Sequence, residues 1–99
     1  MPLSSKQRAH LRGLAHPLKP LVHVGKEGVT VPTLRAVRDA LNTRELLKVR
    51  VLESAPASAR EVAAALAAEI EDAAVVQVVG RTVTLYRPHP DAPEIRLPK

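Results

Sequence analysis

The segment Gly25-Lys26-Glu27-Gly28 is the feature that most restricts the fold of this chain, because it joins two segments with different structural signals. The apolar run 21–24 before it is typical of a short buried strand, and Thr30 after it is a good helix N-cap. Glycine lacks a Cβ, so both ends of the segment can adopt positive φ and allow close approach of another backbone. The positive end of the following helix dipole would face a bound group, for which a phosphate has the right charge.

The same order of strand, GxxG and helix occurs in KH-type RNA-binding modules, where the loop clamps a nucleic-acid backbone. The spacing alone is weak evidence, since four glycines in 99 residues produce it by chance roughly one time in ten. The alternative interpretation is a plain turn between a strand and a helix.

Length and composition exclude several classes of protein. Ninety-nine residues form one core, and the absence of cysteine excludes disulfides and thiolate zinc sites. No segment approaches the roughly 18 apolar residues of a membrane span, so we expect a cytoplasmic protein. His10, His16, His23 and His89 lack ligand spacing, so we predict no metal, no cofactor, no small-molecule substrate and no enzyme activity. His23, inside a strand, is interpreted as a packing residue.

Positive charge is concentrated in the first half of the chain. Residues 1–50 contain ten Lys or Arg residues against three acids, whereas residues 51–99 contain five against seven. This asymmetry predicts a polyanionic partner, although a basic face that serves solubility gives the same pattern. Tyr86 is the only aromatic residue and is interpreted as a packing residue, so several stacking rings, as in RRM and OB-type domains, are excluded. Any bound RNA must be held mainly through its backbone.

Apolar periodicity and capping residues predict the element order α-β-α-β-α-β-β. Helices are expected from Ser4 to about residue 15, from Thr30, and from Ser58 to about Asp72. Strands are expected at 21–24, 45–52, 75–79 and 82–86, and the last two are joined by a Gly80-Arg81 hairpin. We therefore predict an α/β (α+β) domain, in which helices pack on a mixed four-stranded sheet. The proline-rich residues 88–99 are expected to form a peripheral extension.

Four segments of the chain resemble one known family. They are residues 11–20, 24–30, 45–49 and 77–87. On these segments the chain resembles the YhbY family of stand-alone bacterial CRM domains, the module named for chloroplast RNA splicing and ribosome maturation. The resemblance implies a single CRM-type RNA-binding domain over residues 1–99. It also implies a fold similar to the C-terminal domain of the third bacterial translation initiation factor.

The resemblance further implies contact with ribosomal RNA of large-subunit precursors through the GxxG loop and adjoining basic surface. The loop glycines correspond to Gly25 and Gly28, and the basic loop position corresponds to Lys26. Glu27 is a departure, because many relatives carry a small or neutral residue there. The predicted RNA-binding residues are Gly25, Lys26, Glu27, Gly28, Lys6, Arg8, Arg12, Lys19, Arg35 and Arg38. Nothing in the sequence predicts a dimer, so we expect a monomer.

Two other functions are compatible with the sequence. A protein-interaction adaptor could use the third predicted helix, whose apolar stripe of Val62, Leu66 and Ile70 lies beside an acidic surface. Adaptor binding would survive removal of the basic residues. DNA binding has less support, because the chain has no recognition-helix signature and a GxxG loop suits a flexible single strand better.

Overall fold

Three helices and four strands form in the predicted order within residues 3–99, the part of the chain that the computed structural model describes. The helices are α1 (Ser5–Ala15), α2 (Val31–Thr43) and α3 (Ala59–Glu69). The strands are β1 (Val22–Val24), β2 (Leu46–Val51), β3 (Ala74–Val79) and β4 (Thr82–Tyr86). The predicted α+β class is therefore confirmed.

Each helix begins where the sequence supplies a capping side chain. Ser4 and Ser58 form the two predicted capping boxes with Gln7 and Glu61, so each box satisfies two backbone N–H groups. Both hydrogen bonds from Ser58 lower the pKa of the exposed Glu61 carboxyl. Thr30 caps α2 through its hydroxyl oxygen, which accepts from a backbone N–H three residues later.

The third helix ends at Glu69, three residues before the predicted end at Asp72. Ile70 leaves the helical conformation and its side chain is buried in the core. Asp72 has a φ of 64°, a left-handed conformation that short polar residues tolerate. The chain thereby reverses direction before it enters β3.

The strands form one mixed sheet in the order β1-β2-β4-β3. Strands β1 and β2 are parallel, and β4 is antiparallel to both of its neighbours. Gly80 and Arg81 form the predicted two-residue hairpin, with Gly80 at a φ of 56°. The ends of β1 and β2, the β3–β4 hairpin and the start of α2 consequently lie at one edge of the sheet. We call this edge the loop end.

A hydrophobic core lies on each face of the sheet. Helices α2 and α3 cover one face, where Leu41 and Leu66 pack with strand residues such as Val49. Helix α1 covers part of the other face through a smaller core. The members of that core are Leu3, Leu11, Ala15, Leu46, Val76 and Tyr86. The loop end is thus supported by one fully covered face and one partly covered face.

Residues 88–99 have no regular structure, as predicted, but the expectation that they are peripheral is wrong. Ile95 and Leu97 pack against the smaller core. The buried carboxylate of Glu45 accepts hydrogen bonds from three backbone N–H groups of this tail, at 2.7 to 2.8 Å. Burial raises the pKa of Glu45, but the three donors together outweigh it, and the pKa lies below its usual value.

Candidate nucleic-acid interface

The Gly25-Lys26-Glu27-Gly28 segment is a tight turn at the loop end. The N–H of Gly28 donates to the carbonyl of Gly25 at 2.9 Å, and Gly28 has a φ of 70°, where a Cβ is strained. Gly25 has no positive φ, so of the two loop glycines Gly28 alone uses this freedom. A Cβ at Gly25 would meet Leu52 Cδ1 at 3.7 Å and Ser54 Oγ at 3.9 Å, which are ordinary contacts. The fold itself therefore does not require glycine at position 25.

The backbone of this loop presents several donors. None of the hydrogen bonds within residues 3–99 uses the N–H groups of Lys26, Glu27 or Val29. Helix α2 starts at Val31, so the positive end of its dipole adds to the potential of these groups. The loop also touches the β2–α3 connection, because a Cβ at Gly28 would lie 3.3 Å from Pro56 Cγ. A small anion could accept several N–H bonds here without displacing an internal partner.

Side chains of both signs surround the loop. Lys26 is exposed, and Arg81 reaches the loop end, where its Nη1 donates to the carbonyl of Leu52 at 3.5 Å. Glu27 and Glu53 are also exposed at this end. Since Glu27 is in solvent, its charge is screened and it need not point at a group bound on the loop backbone.

The two predicted arginines of α2 lie in different surroundings. Arg35 is exposed in the second turn of α2. This turn is near the start of the helix, which lies at the loop end. Arg38 donates from Nη2 to the carbonyl of Glu69 at 2.8 Å, at the C-terminal end of α3. The expectation that Arg38 flanks the loop is therefore wrong, and its visible role is to cap α3.

Lys6 and Arg8, near the start of α1, are not brought to the loop. The half-buried guanidinium of Arg8 donates to the carbonyl of Val75 at 3.0 Å and to that of Leu3 at 3.5 Å. Val75 lies about 13 Å along β3 from Val79, the last β3 residue at the loop end. Arg8 therefore tethers α1 to the sheet at the edge opposite the loop.

Arg12 and Lys19 lie in different surroundings. Arg12 is exposed in the last turn of α1, four residues before His16, so both side chains lie on the same face of the helix. Lys19 instead lines an apolar groove of about 390 Å³. The groove is lined by Leu14, Leu18, Lys19, Leu21, Arg44, Leu46 and Ile95. Leu14 is 43% exposed in this groove.

The α3 surface is not apolar in the way that the adaptor alternative requires. Val62, Leu66 and Ile70 are all within 1% of complete burial and belong to the larger core. None of the large apolar side chains that are exposed within residues 3–99 belongs to α3. An adaptor that uses the acidic α3 face would thus have no large apolar side chain to offer.

The predicted RNA-binding residues include none from β2, although this strand has a basic outer face. Arg50 is exposed and Lys48 is half-buried on this strand. His23, expected to be a packing residue, is exposed on β1 directly opposite Arg50. The alternation of cations and apolar residues in 46–51 was the signal that could have placed them in the site.

Tyr86 is buried against α1 and cannot serve as a stacking platform. Burial, and secondarily the charge of Glu45, raise the pKa of its phenol. The interpretation of Tyr86 as a packing residue is confirmed.

Comparison with known proteins identifies the family. A family model described as the CRS1 / YhbY (CRM) domain matches residues 3–87. The chain belongs to this family. This CRM domain is 40% identical over 97 residues to a Haemophilus influenzae protein named "RNA-binding protein", and the match covers 98% of this chain and 96% of the relative. It is 38% identical over 96 residues to the Bacillus subtilis "Probable RNA-binding protein YqeI", with coverage of 97% and 99%.

The fold of the CRM domain is also found in a solved structure. The solution structure of a hypothetical protein from Staphylococcus aureus superimposes with a TM-score of 0.80 and 36% identity, covering 98% of this chain and all of that chain. Within residues 3–99, no helix is long and apolar enough to cross a membrane. No group of three or more His, Cys, Asp or Glu side chains is placed to hold a metal ion in that same part of the CRM domain.

Proposed function

We propose that this CRM domain binds RNA through the loop Gly25-Lys26-Glu27-Gly28 and the basic surface around it. The observation that carries the proposal is the set of unused N–H groups at Lys26, Glu27 and Val29, beside the N-terminus of α2. A phosphate has the charge and the acceptor oxygens that such a loop can bind. The names of the two bacterial relatives support the same partner class.

The absence of a side chain at Gly25 fits this role. The fold tolerates a Cβ there, so the open space serves a group that approaches from outside. A phosphate could thus reach the loop backbone, with the exposed Lys26 ammonium and Arg81 guanidinium supplying charge-assisted contacts. The protein acts by binding and performs no chemistry of its own.

The cellular partner that we propose is ribosomal RNA in precursors of the large subunit. With its single aromatic ring buried, the protein has few means of reading bases by stacking. It should therefore recognise an RNA site by shape, as a folded ribosomal precursor offers. A modest basic surface on a small monomer also suits a maturation factor that leaves when assembly is complete.

The test is sedimentation of a cell extract at low salt, with the tagged protein followed across the gradient. We expect it to travel with large-subunit precursors more than with translating ribosomes, and crosslinking should recover precursor ribosomal RNA. The Gly25→Asp variant should no longer sediment with the precursors, because the substitution places a side chain and a negative charge where the phosphate approaches. The Leu21→Ser variant, with its change in the apolar groove, is the matched control and should still sediment with the precursors.

Two results would contradict the proposal. Sedimentation only as free protein, with assembly intermediates present, would remove the link to the ribosome. Loss of position with Leu21→Ser but not with Gly25→Asp would favour the protein-interaction adaptor.

A further inference from the structure

The face of the sheet that carries α1 is only half covered. Helix α1 packs over the row formed by Leu46, Tyr86 and Ala74, which lies at the edge opposite the loop. The two rows nearer the loop end belong to neither core, although Thr84 in one of them is buried. We call the side chains of these rows the open half-sheet. They are Lys48, Thr84 and Gln77 in one row, and His23, Arg50, Thr82 and Val79 in the other.

The strand register gives the open half-sheet its chemistry. Alternate residues of a strand face the same side, so Lys48 and Arg50 both point away from the large core that contains Val49. Cross-strand pairing then sets the Thr82 hydroxyl beside Arg50, and Gln77 in the same row as Lys48. None of the ten acidic residues of the sequence lies in either row.

A groove lies on this surface beside the C-terminal end of α1. It has a volume of about 360 Å³ and is lined by His16, Lys48, Gln77, Val79, Thr82 and Thr84. The ammonium of Lys48 donates to the carbonyl of His16 at 3.4 Å, which holds its charge at the groove wall. The guanidinium of Arg50 makes no hydrogen bond within residues 3–99, so all its donors remain available to a ligand.

The open half-sheet is continuous with the loop. His23 is two residues before Gly25 and is paired directly with Arg50. The row from His23 on β1 to Val79 on β3 crosses all four strands. It therefore extends about 14 Å across the sheet, starting at the strand that precedes the loop. A strand of nucleic acid anchored at the loop is therefore close enough to reach this surface.

We infer that the open half-sheet is a second RNA-contact surface, which binds the backbone of the single strand that continues from the loop. Lys48 and Arg50 contact phosphates, while Thr82 and Gln77 offer hydrogen bonds to ribose hydroxyls. The surface thereby sets how many nucleotides the domain holds. This inference rests on the proposed function, because it requires RNA at the loop.

The test compares two labelled oligouridylate probes. A probe of about four nucleotides matches what a GxxG loop clamps, and one of about ten nucleotides can also reach the open half-sheet. The wild-type protein should bind the longer probe at least about tenfold more tightly. The double variant Lys48→Ala, Arg50→Ala should bind the short probe as wild type does and lose most of the advantage of the longer one. Its salt slope for the longer probe should also be less steep by about 1.4, at about 0.7 per lost phosphate contact.

The double variant Arg44→Ala, Arg96→Ala removes the same charge from two exposed positions outside the open half-sheet. It should keep the ratio of the two affinities. Arg50→Ala alone, whose side chain makes no internal hydrogen bond, repeats the test with a smaller loss in the event that the first variant fails to fold.

The outcomes separate this inference from the proposed function. A length advantage that survives Lys48→Ala, Arg50→Ala, or an equal loss on both probes, would overturn the second surface while leaving the loop site intact. If the wild-type protein binds neither probe but sediments with large-subunit precursors, the inference fails and the proposed function stands. Gly25→Asp should weaken both probes, which shows that the loop is the anchor.

Discussion

The carboxylate of Glu45 accepts a hydrogen bond of 2.8 Å from the backbone N–H of Ile95, although 50 residues separate the two in sequence. The second carboxylate oxygen accepts from the N–H of His89 at 2.7 Å. This pairing holds the C-terminal tail against the start of β2 and brings the side chain of Ile95 to the smaller core. The tail is therefore part of the fold, and it covers the edge of the sheet opposite the candidate RNA site.

We predict that Glu45→Gln lowers the free energy of unfolding by about 1–3 kcal/mol, because an amide nitrogen must then face a backbone N–H donor. Chemical denaturation followed by circular dichroism measures this. Glu94→Gln is the control, since that exposed carboxylate lies in the same tail and should change stability by less than about 0.5 kcal/mol. Equal effects of the two substitutions would mean that the tail contributes nothing through Glu45.

The same pair predicts a dependence on pH. The pKa of Glu45 in the folded state lies below its usual value of 4.5, so the ionised carboxylate stabilises the folded state. That stabilisation is present above pH 4.5 and is lost as the pH falls through the folded pKa. The stability difference between wild type and Glu45→Gln should therefore shrink below about pH 4.5. A constant difference between pH 7 and pH 3 would contradict this account.

The two loop glycines should respond differently to alanine. Gly25→Ala should leave the melting temperature nearly unchanged and weaken RNA binding about tenfold or more, because only the ligand needs the space. Gly28→Ala should destabilise the fold by about 1–2 kcal/mol, because of its positive φ. Gly13→Ala, on the exposed side of α1, should keep RNA affinity and raise stability by roughly 0.5–1 kcal/mol. Normal RNA binding by Gly25→Ala would reduce the loop to a structural turn.

Charge reversal should separate the two arginines of α2. We expect Arg35→Glu to weaken RNA binding about tenfold with little change in stability, since its side chain is exposed on the loop side. Arg38→Glu should have the smaller effect on binding and cost about 1 kcal/mol of stability, because it removes the cap on the Glu69 carbonyl. Glu69→Gln with Glu71→Gln should not change binding. If all these variants shift affinity in proportion to net charge, no local site exists.

RNA affinity should fall steeply with salt. The contacts that we propose are to phosphates, and each one on a single strand contributes about 0.7 to the slope of log K against log salt. Three or more contacts then give a slope of about −2 or steeper, which filter binding between about 50 and 200 mM salt can measure. A flat response would exclude phosphate contacts as the main source of affinity.

The sequence by itself determined the helices, the strands and the turn between β3 and β4. Ser4, Thr30 and Ser58 start the three helices because each side chain acts on backbone groups within three residues. Gly80 makes the hairpin because its own backbone adopts positive φ. These interactions are local in the chain, so their residue types and spacing are visible without a structure.

Only the tertiary structure decided which cations share a surface. Arg8 and Arg38 looked like members of a basic site, but each guanidinium is engaged by a carbonyl of a distant element, 67 and 31 residues away. Arg50 joined the surface next to the loop because strand pairing set it opposite His23. Contacts of this kind depend on how the elements pack, and an exposed cation has the same local pattern whether it ends beside the loop or against another helix. The positions of the charges that bear on function were therefore settled by packing and strand register.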